Sequence, residues 1–236
     1  MPIFSKLRRA GAPAALACAI AGAAAAGPEG EAAAPRRAVR TTVPSPDALS
    51  HPKPVALGDL IRLAAPPGIA DDDPRYRAAR IPEFPNPLGL KEGDIVATSG
   101  WLRRVAAAHG AYLLELAQDK AGAAHGCLVA GVPDPDRIGG SPVDPFLLGN
   151  ARAAAAAMSL VPLYKDVREA VRNVVLLGAD PKESGKPVPP MRISIVGQLF
   201  FAGSAVAPGI RDPDCAEPAP WELYPVTRAQ LGKIAK

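Results

Sequence analysis

Aromatic residues make up only 5% of the 236-residue chain, so any core it builds must be mostly aliphatic. The chain also lacks the short motifs that announce chemistry. It holds no G-x-S-x-G, no H-E-x-x-H and no phosphate-binding glycine loop, so nothing in it points to an activity or to a cofactor. Basic excess is nearly missing too. The formal charge of +4 includes Lys6, Arg8 and Arg9, which fall in a segment expected to be removed; without them, 24 basic residues face 23 acidic ones. That argues against a polyanionic partner, because such binding needs concentrated Lys and Arg. No apolar run is long and strong enough to span a membrane. Ala10 to Ala26 is short, built of Ala and Gly, and interrupted by Pro13.

What is abundant is proline. The 28 prolines imply that much of the chain is loop or extended linker around one domain. Residues 1–26 read as a secretory signal: a basic start, an apolar stretch, then Ala24-Ala25-Ala26 before Gly27 as a cleavage point. The expected destination is therefore periplasmic or extracellular. Arg8-Arg9 hints at twin-arginine export, and Leu16-Ala17-Cys18 fits a lipoprotein site less well, since apolar residues continue beyond Cys18. Residues 27–90 form a Pro/Ala-rich linker and extension. Pro28 to Pro54 is expected to behave as a tether, and Val55 to Leu63 could form a short helix or strand. Asp71, Asp72 and Asp73 read as a turn or helix start, without the spaced oxygens of a cation site.

Residues 91–230 carry the domain. Ile95 to Ala107 reads as a long strand in which Gly100 permits a bend or bulge, and Ala111 to Ala117 pairs with it as a hairpin. Cys127 to Val132 makes a third strand, stopped by Pro133. Pro145 to Leu177 is helical in pattern, with a break or kink at Pro162, and its second half sets Tyr164, Val167, Val171, Val174 and Val175 on one stripe. Met191 to Gly203 alternates apolar and polar residues with a period of two and is expected to pair with Trp221 to Thr227. Five strands with one helical region after the third is the order of an OB-fold. The fold class is thus mainly β, a five-stranded Greek-key barrel with one inserted helix.

Gly100-Trp101-Leu102, Val196-Gly197-Gln198-Leu199-Phe200-Phe201 and Trp221-Glu222-Leu223-Tyr224-Pro225-Val226-Thr227 together resemble an exported bacterial family of OB-fold domains of uncharacterised function. The resemblance spans roughly residues 92–227 and implies a fold and an exported habit, with no activity to carry over. Members tend to have His where this chain has Tyr224, and a more polar hairpin than Ala111-Tyr112-Leu113-Leu114. A function resting on those groups is not carried over.

Several residues are candidates for function. Arg103, Arg104 and Tyr112 would mark a contact surface on the outer face of the first three strands. Glu222 and Tyr224 would share the outward face of the last. The leading reading is a non-catalytic exported binding or adaptor domain whose ligand is a small molecule, a glycan or an envelope protein. A hydrolase using Glu222 and neighbouring acids such as Asp94 and Glu115 is an alternative; it requires a concave pocket at Glu222. A single-stranded nucleic-acid binder is another, but the second and third strands offer Tyr112 and no Lys or Arg for base stacking and phosphate contact. Cys127 and Cys215 either form a disulfide or remain a buried and a free thiol. His125 lies two residues from Cys127, but two ligands do not make a metal site, and no metal is expected.

Overall fold

Met191 to Val196 realises its alternation directly: Met191, Ile193 and Ile195 are buried while Arg192 and Ser194 are exposed. This stretch belongs to one of six strands among the described residues: β1 (Lys53–Pro54), β2 (Ile95–Ala108), β3 (Ala111–Ala117), β4 (Cys127–Val132), β5 (Pro187–Phe201) and β6 (Pro218–Ile234). Among the described residues the helices include α1 (Pro46–Ser50), α2 (Leu57–Ile61) and α3 (Ala151–Leu176). The structure is a computed structural model that describes residues 39–40, 46–70, 73–76, 79–108, 111–120, 126–135, 151–176, 187–203, 215 and 218–234. The signal-peptide and Cys18 readings, His109, His125 and the expected helix start at 145–150 lie outside the described residues.

The sheet closes on itself. Neighbouring strands run β2, β3, β4, β6, β5, and β5 pairs again with β2, from Ile95 opposite Gln198 to Leu102 opposite Met191. The pairs are antiparallel except β4 with β6, so five strands form a barrel with OB-fold order, and β1 adds a short parallel edge to β2. The β2 ladder toward β3 slips between Leu102 and Arg104, leaving Arg103 as the extra residue of a bulge, and the ladder toward β5 is irregular at the same place. The expected bend at Gly100 is therefore displaced. Gly100 stays in register opposite Ile193, and it is glycine for another reason: a Cβ there would collide with Leu57 of α2.

Two plugs fill the barrel ends. At the Ala117 end of β3, α2 and the loop after it insert Leu57, Leu60, Ile61 and Leu63 into the core beside Ile81 and Leu90. Trp221 is fully buried beneath this segment, donating from Nε1 to the Ala64 carbonyl at 3.0 Å and stacking on Phe84 at 5.8 Å. Glu92 fastens the arrangement. Its carboxylate, 5% exposed, accepts the Ile81 N–H at 2.7 Å and the Phe201 N–H at 3.0 Å, tying the extension to the end of β5. Part of the stretch read as linker and extension is thus core, because Trp221 and the aliphatic barrel interior need a cover the strands cannot supply. Asp73, by contrast, is a local cap whose carboxylate accepts the Arg75 N–H at 3.0 Å.

The second plug is α3. Leu160, Tyr164, Val167 and Val171 recur on one face and are all buried, with Val167 and Val171 in the barrel core. The expected break at Pro162 does not occur, and the helix runs through it. Pro162 lies on the exposed side, where the carbonyl deprived of its donor can be solvated.

Cys127 at the start of β4 and Cys215 just before β6 form a disulfide, with their Cα atoms 5.9 Å apart. The bond spans 88 residues, and in the chain-entropy model a loop of that length stabilises by about 4 to 5 kcal/mol. Cys215→Ser is expected to lower the unfolding free energy by up to that amount in urea titrations. Reductant should lower the parent protein similarly and leave Cys215→Ser unchanged.

Candidate functional site

On the five-stranded wall, residues that point outward are nearly as buried as those that point in. Every residue of β4 is buried, and so are Leu113, Glu115 and Ala117 on β3. One register row crosses the outer face: Arg104 opposite Glu115, Glu115 opposite Val129, Val129 opposite Glu222, and Glu222 opposite Phe200. In that row Glu115 is 0% and Glu222 3% exposed. The expected contact surface over the first three strands is therefore not an open face.

Tyr112 in particular departs from its expected place. It packs against the core cluster, and the Arg168 guanidinium of α3 lies over its ring at 4.3 Å. The alternation of β3 puts Tyr112 on the same side as Leu114 and Leu116, toward the barrel axis. Arg103 and Arg104 are half-buried at the β2 bulge, where Arg103 Nη1 donates to the Lys120 carbonyl at 3.0 Å. Glu222 and Tyr224 do share one face, but that face is covered. Arg40 Nη2 meets the Glu222 carboxylate at 2.6 Å, and the same guanidinium sits 4.1 Å over the Tyr224 ring and 5.8 Å from that of Phe200. Nothing in the sequence pattern flagged Arg40, because it lies in a proline-rich stretch 182 residues from its partner.

Of the other acids of the hydrolase reading, Glu115 is fully buried and Asp94 has structural partners. Asp94 accepts from Lys53 Nζ at 2.7 Å and from the Lys91 N–H at 3.0 Å, closing the turn before β2. A concave region lies elsewhere. A groove of about 1060 Å³ runs between the β1 and α2 segment on one side and α3 on the other, floored by β2, β5 and β6. Its polar lining includes Thr98, Gln118, Asp166, Arg192, Arg228 and Gln230, and it does not include Glu222. Arg192 stacks over Trp101 at 4.9 Å, and Arg228 donates to the Leu49 carbonyl at 3.1 Å, so both guanidiniums are held in place. Thr98 is 5% exposed, and its Oγ1 has no hydrogen-bond partner among the described residues. Such a buried hydroxyl costs roughly 1 to 3 kcal/mol until a polar group reaches it. Among the described residues no three His, Cys, Asp or Glu side chains gather as a metal site would require, and no helix is long and apolar enough to cross a membrane.

Burial pushes the Tyr164 phenol well above its ordinary value of 10.0, and the nearby Tyr224 adds to the shift. The folded state therefore holds a proton that the unfolded state releases. The stabilisation is fully present below about pH 10 and is lost as pH rises above it, and Tyr164→Phe should blunt that alkaline loss in urea midpoints measured from pH 8 to 11. The Arg40 and Glu222 pair gives a second expectation. Because the Arg40 side chain keeps 29% of its exposure, Arg40→Ala should cost about 2 kcal/mol rather than the larger figure of a fully buried pair. In a Glu222→Gln background the same change should cost clearly less in urea unfolding. Comparison of the chain with protein-family models and with curated proteins finds no match.

Proposed function

We propose that this chain is an exported, non-catalytic binding domain that holds a small polar ligand, such as a saccharide, in the groove beside α3. The observation that carries the reading is the buried Thr98 hydroxyl without a partner on the wall of a groove of about 1060 Å³. That volume is at the upper end of small-molecule sites, and hydroxyl, amide, guanidinium and carboxylate side chains line it together. Such a mixture suits a ligand with many hydroxyls, and Arg192 with Arg228 favours one that also bears an acid group.

Export is supported by the signal-like residues 1–26 and by a disulfide, which persists in oxidising compartments. The OB-fold order of the barrel, with the strings around Gln198 and Glu222, supports membership of the exported family that the sequence resembles. Against a nucleic-acid role stands the covered outer face of β3 and β4, where OB-folds take single strands. Against the hydrolase stands Glu222, which is ion-paired to Arg40 and lies off the groove.

Thr98→Val separates binding from folding. The isosteric change removes the partnerless hydroxyl, so the unfolding free energy should rise by about 1 kcal/mol. Calorimetric titration with neutral and uronic-acid-containing oligosaccharides should show the parent binding at least one of them and Thr98→Val binding it about tenfold more weakly. No binding by the parent, or equal binding by both, would overturn the reading.

A further inference from the structure

The Arg40 contacts form a recognition site in miniature. A guanidinium is planar, permanently charged and able to donate along its edge while stacking on its face. Arg40 does both: its Nη2 edge meets Glu222 at 2.6 Å and its face lies 4.1 Å over Tyr224, with Phe200 at 5.8 Å completing the wall. These three receptor side chains come from the adjacent strands β5 and β6, and Glu222 stands directly opposite Phe200 in the ladder. The box is therefore set by rigid sheet geometry. Gly131 on the neighbouring β4 is part of the construction, since a Cβ there would strike the Tyr224 ring and tilt it away. None of Arg40, Phe200, Glu222 and Tyr224 lines the groove, so the two sites are independent.

The occupant differs in character from the box. Glu222 keeps 4% of its side-chain exposure, whereas Arg40 keeps 29%, so the guanidinium enters from the solvent side. It is delivered by a stretch far from the barrel in sequence, 182 residues before Glu222. The geometry points to a guanidinium-recognition box formed by Phe200, Glu222 and Tyr224, which Arg40 fills in cis and which takes an arginine side chain of another polypeptide when Arg40 is absent. Arg40 then acts as an intramolecular competitor. A tethered competitor works at an effective concentration of order millimolar, so an arginine peptide must overcome it to bind. Lysine is a poor substitute, because an ammonium cannot stack flat on Tyr224 while reaching Glu222 along an edge.

The test uses the full chain with Arg40→Ala and two probes: methylguanidinium, and a labelled synthetic peptide of this chain's residues 35–45. Methylguanidinium at millimolar concentration should raise the melting temperature of Arg40→Ala saturably. Methylammonium should not, and neither the parent nor Arg40→Ala/Glu222→Gln should respond. In fluorescence anisotropy the peptide should bind Arg40→Ala at least tenfold more tightly than the parent, and a peptide with Lys in place of the Arg40 equivalent should lose most of that gain. If Arg40→Ala does not fold, Arg40→Lys keeps the charge without the stacking fork and should still bind the peptide more tightly than the parent. Equal responses from parent and variant, or no response from either, would overturn the box. Failure of saccharide titration leaves these outcomes untouched, so the two proposals fail separately.

Discussion

Pairing of β2 with both β3 and β5 is the constraint on which the rest of the molecule depends. One strand of 14 residues serves two ladders, and it can do so because the bulge at Arg103 lets it bend from one to the other. Closure removes the open edges of the wall and sets every residue as inward or outward. It also creates two ends that water would enter. The sequence answers with α3 at one end and with α2 and the following loop at the other.

The second of these plugs changes what the proline-rich half of the chain means. Regular structure there is confined to short elements, yet the segment supplies Leu57, Leu60, Leu63 and Ile81 to the core. Beyond the short β1 pairing with β2 it is held by polar anchors: Glu92 accepting two backbone N–H groups, and the Trp221 indole donating to Ala64. A charge-assisted bond of this kind is worth about 1.5 to 3 kcal/mol, so the Glu92 carboxylate rivals a buried leucine in what it contributes. Gly100 belongs to the same design, as the one place where β2 must admit the Leu57 side chain.

The outer face of the barrel shows how a common architecture is diverted. Where an OB-fold presents stacking aromatics and cations, this chain buries Leu113, Val129, Glu115 and Glu222. Buried carboxylates demand partners, and Arg40 answers for Glu222. A concavity with a mixed, mainly apolar lining lies instead on the side framed by α3, β5 and β6. The molecule thus carries two separate features, a groove beside α3 and a small aromatic and acidic box closed by Arg40, both built largely on strand residues whose positions the barrel holds.

Strand order, the span of β3 and β4, and the apolar stripe of α3 were legible in the sequence, because periods of two and of 3.6 residues are local properties of the chain. The pairing of Met191 to Phe201 with the tryptophan-bearing strand was legible for the same reason. The role of Gly100, the continuity of α3 through Pro162 and the burial of Glu92 were not. Each depends on what lies opposite: Leu57 against Gly100, solvent beside Pro162, two distant N–H groups on Glu92. Of the candidate site, the sequence identified Glu222 and Tyr224 as a pair on one face. Only the tertiary structure turned Tyr112 inward, covered the β3 and β4 face and brought Arg40 to Glu222, since periodicity orients side chains while contacts between residues 182 apart are decided by closure and packing.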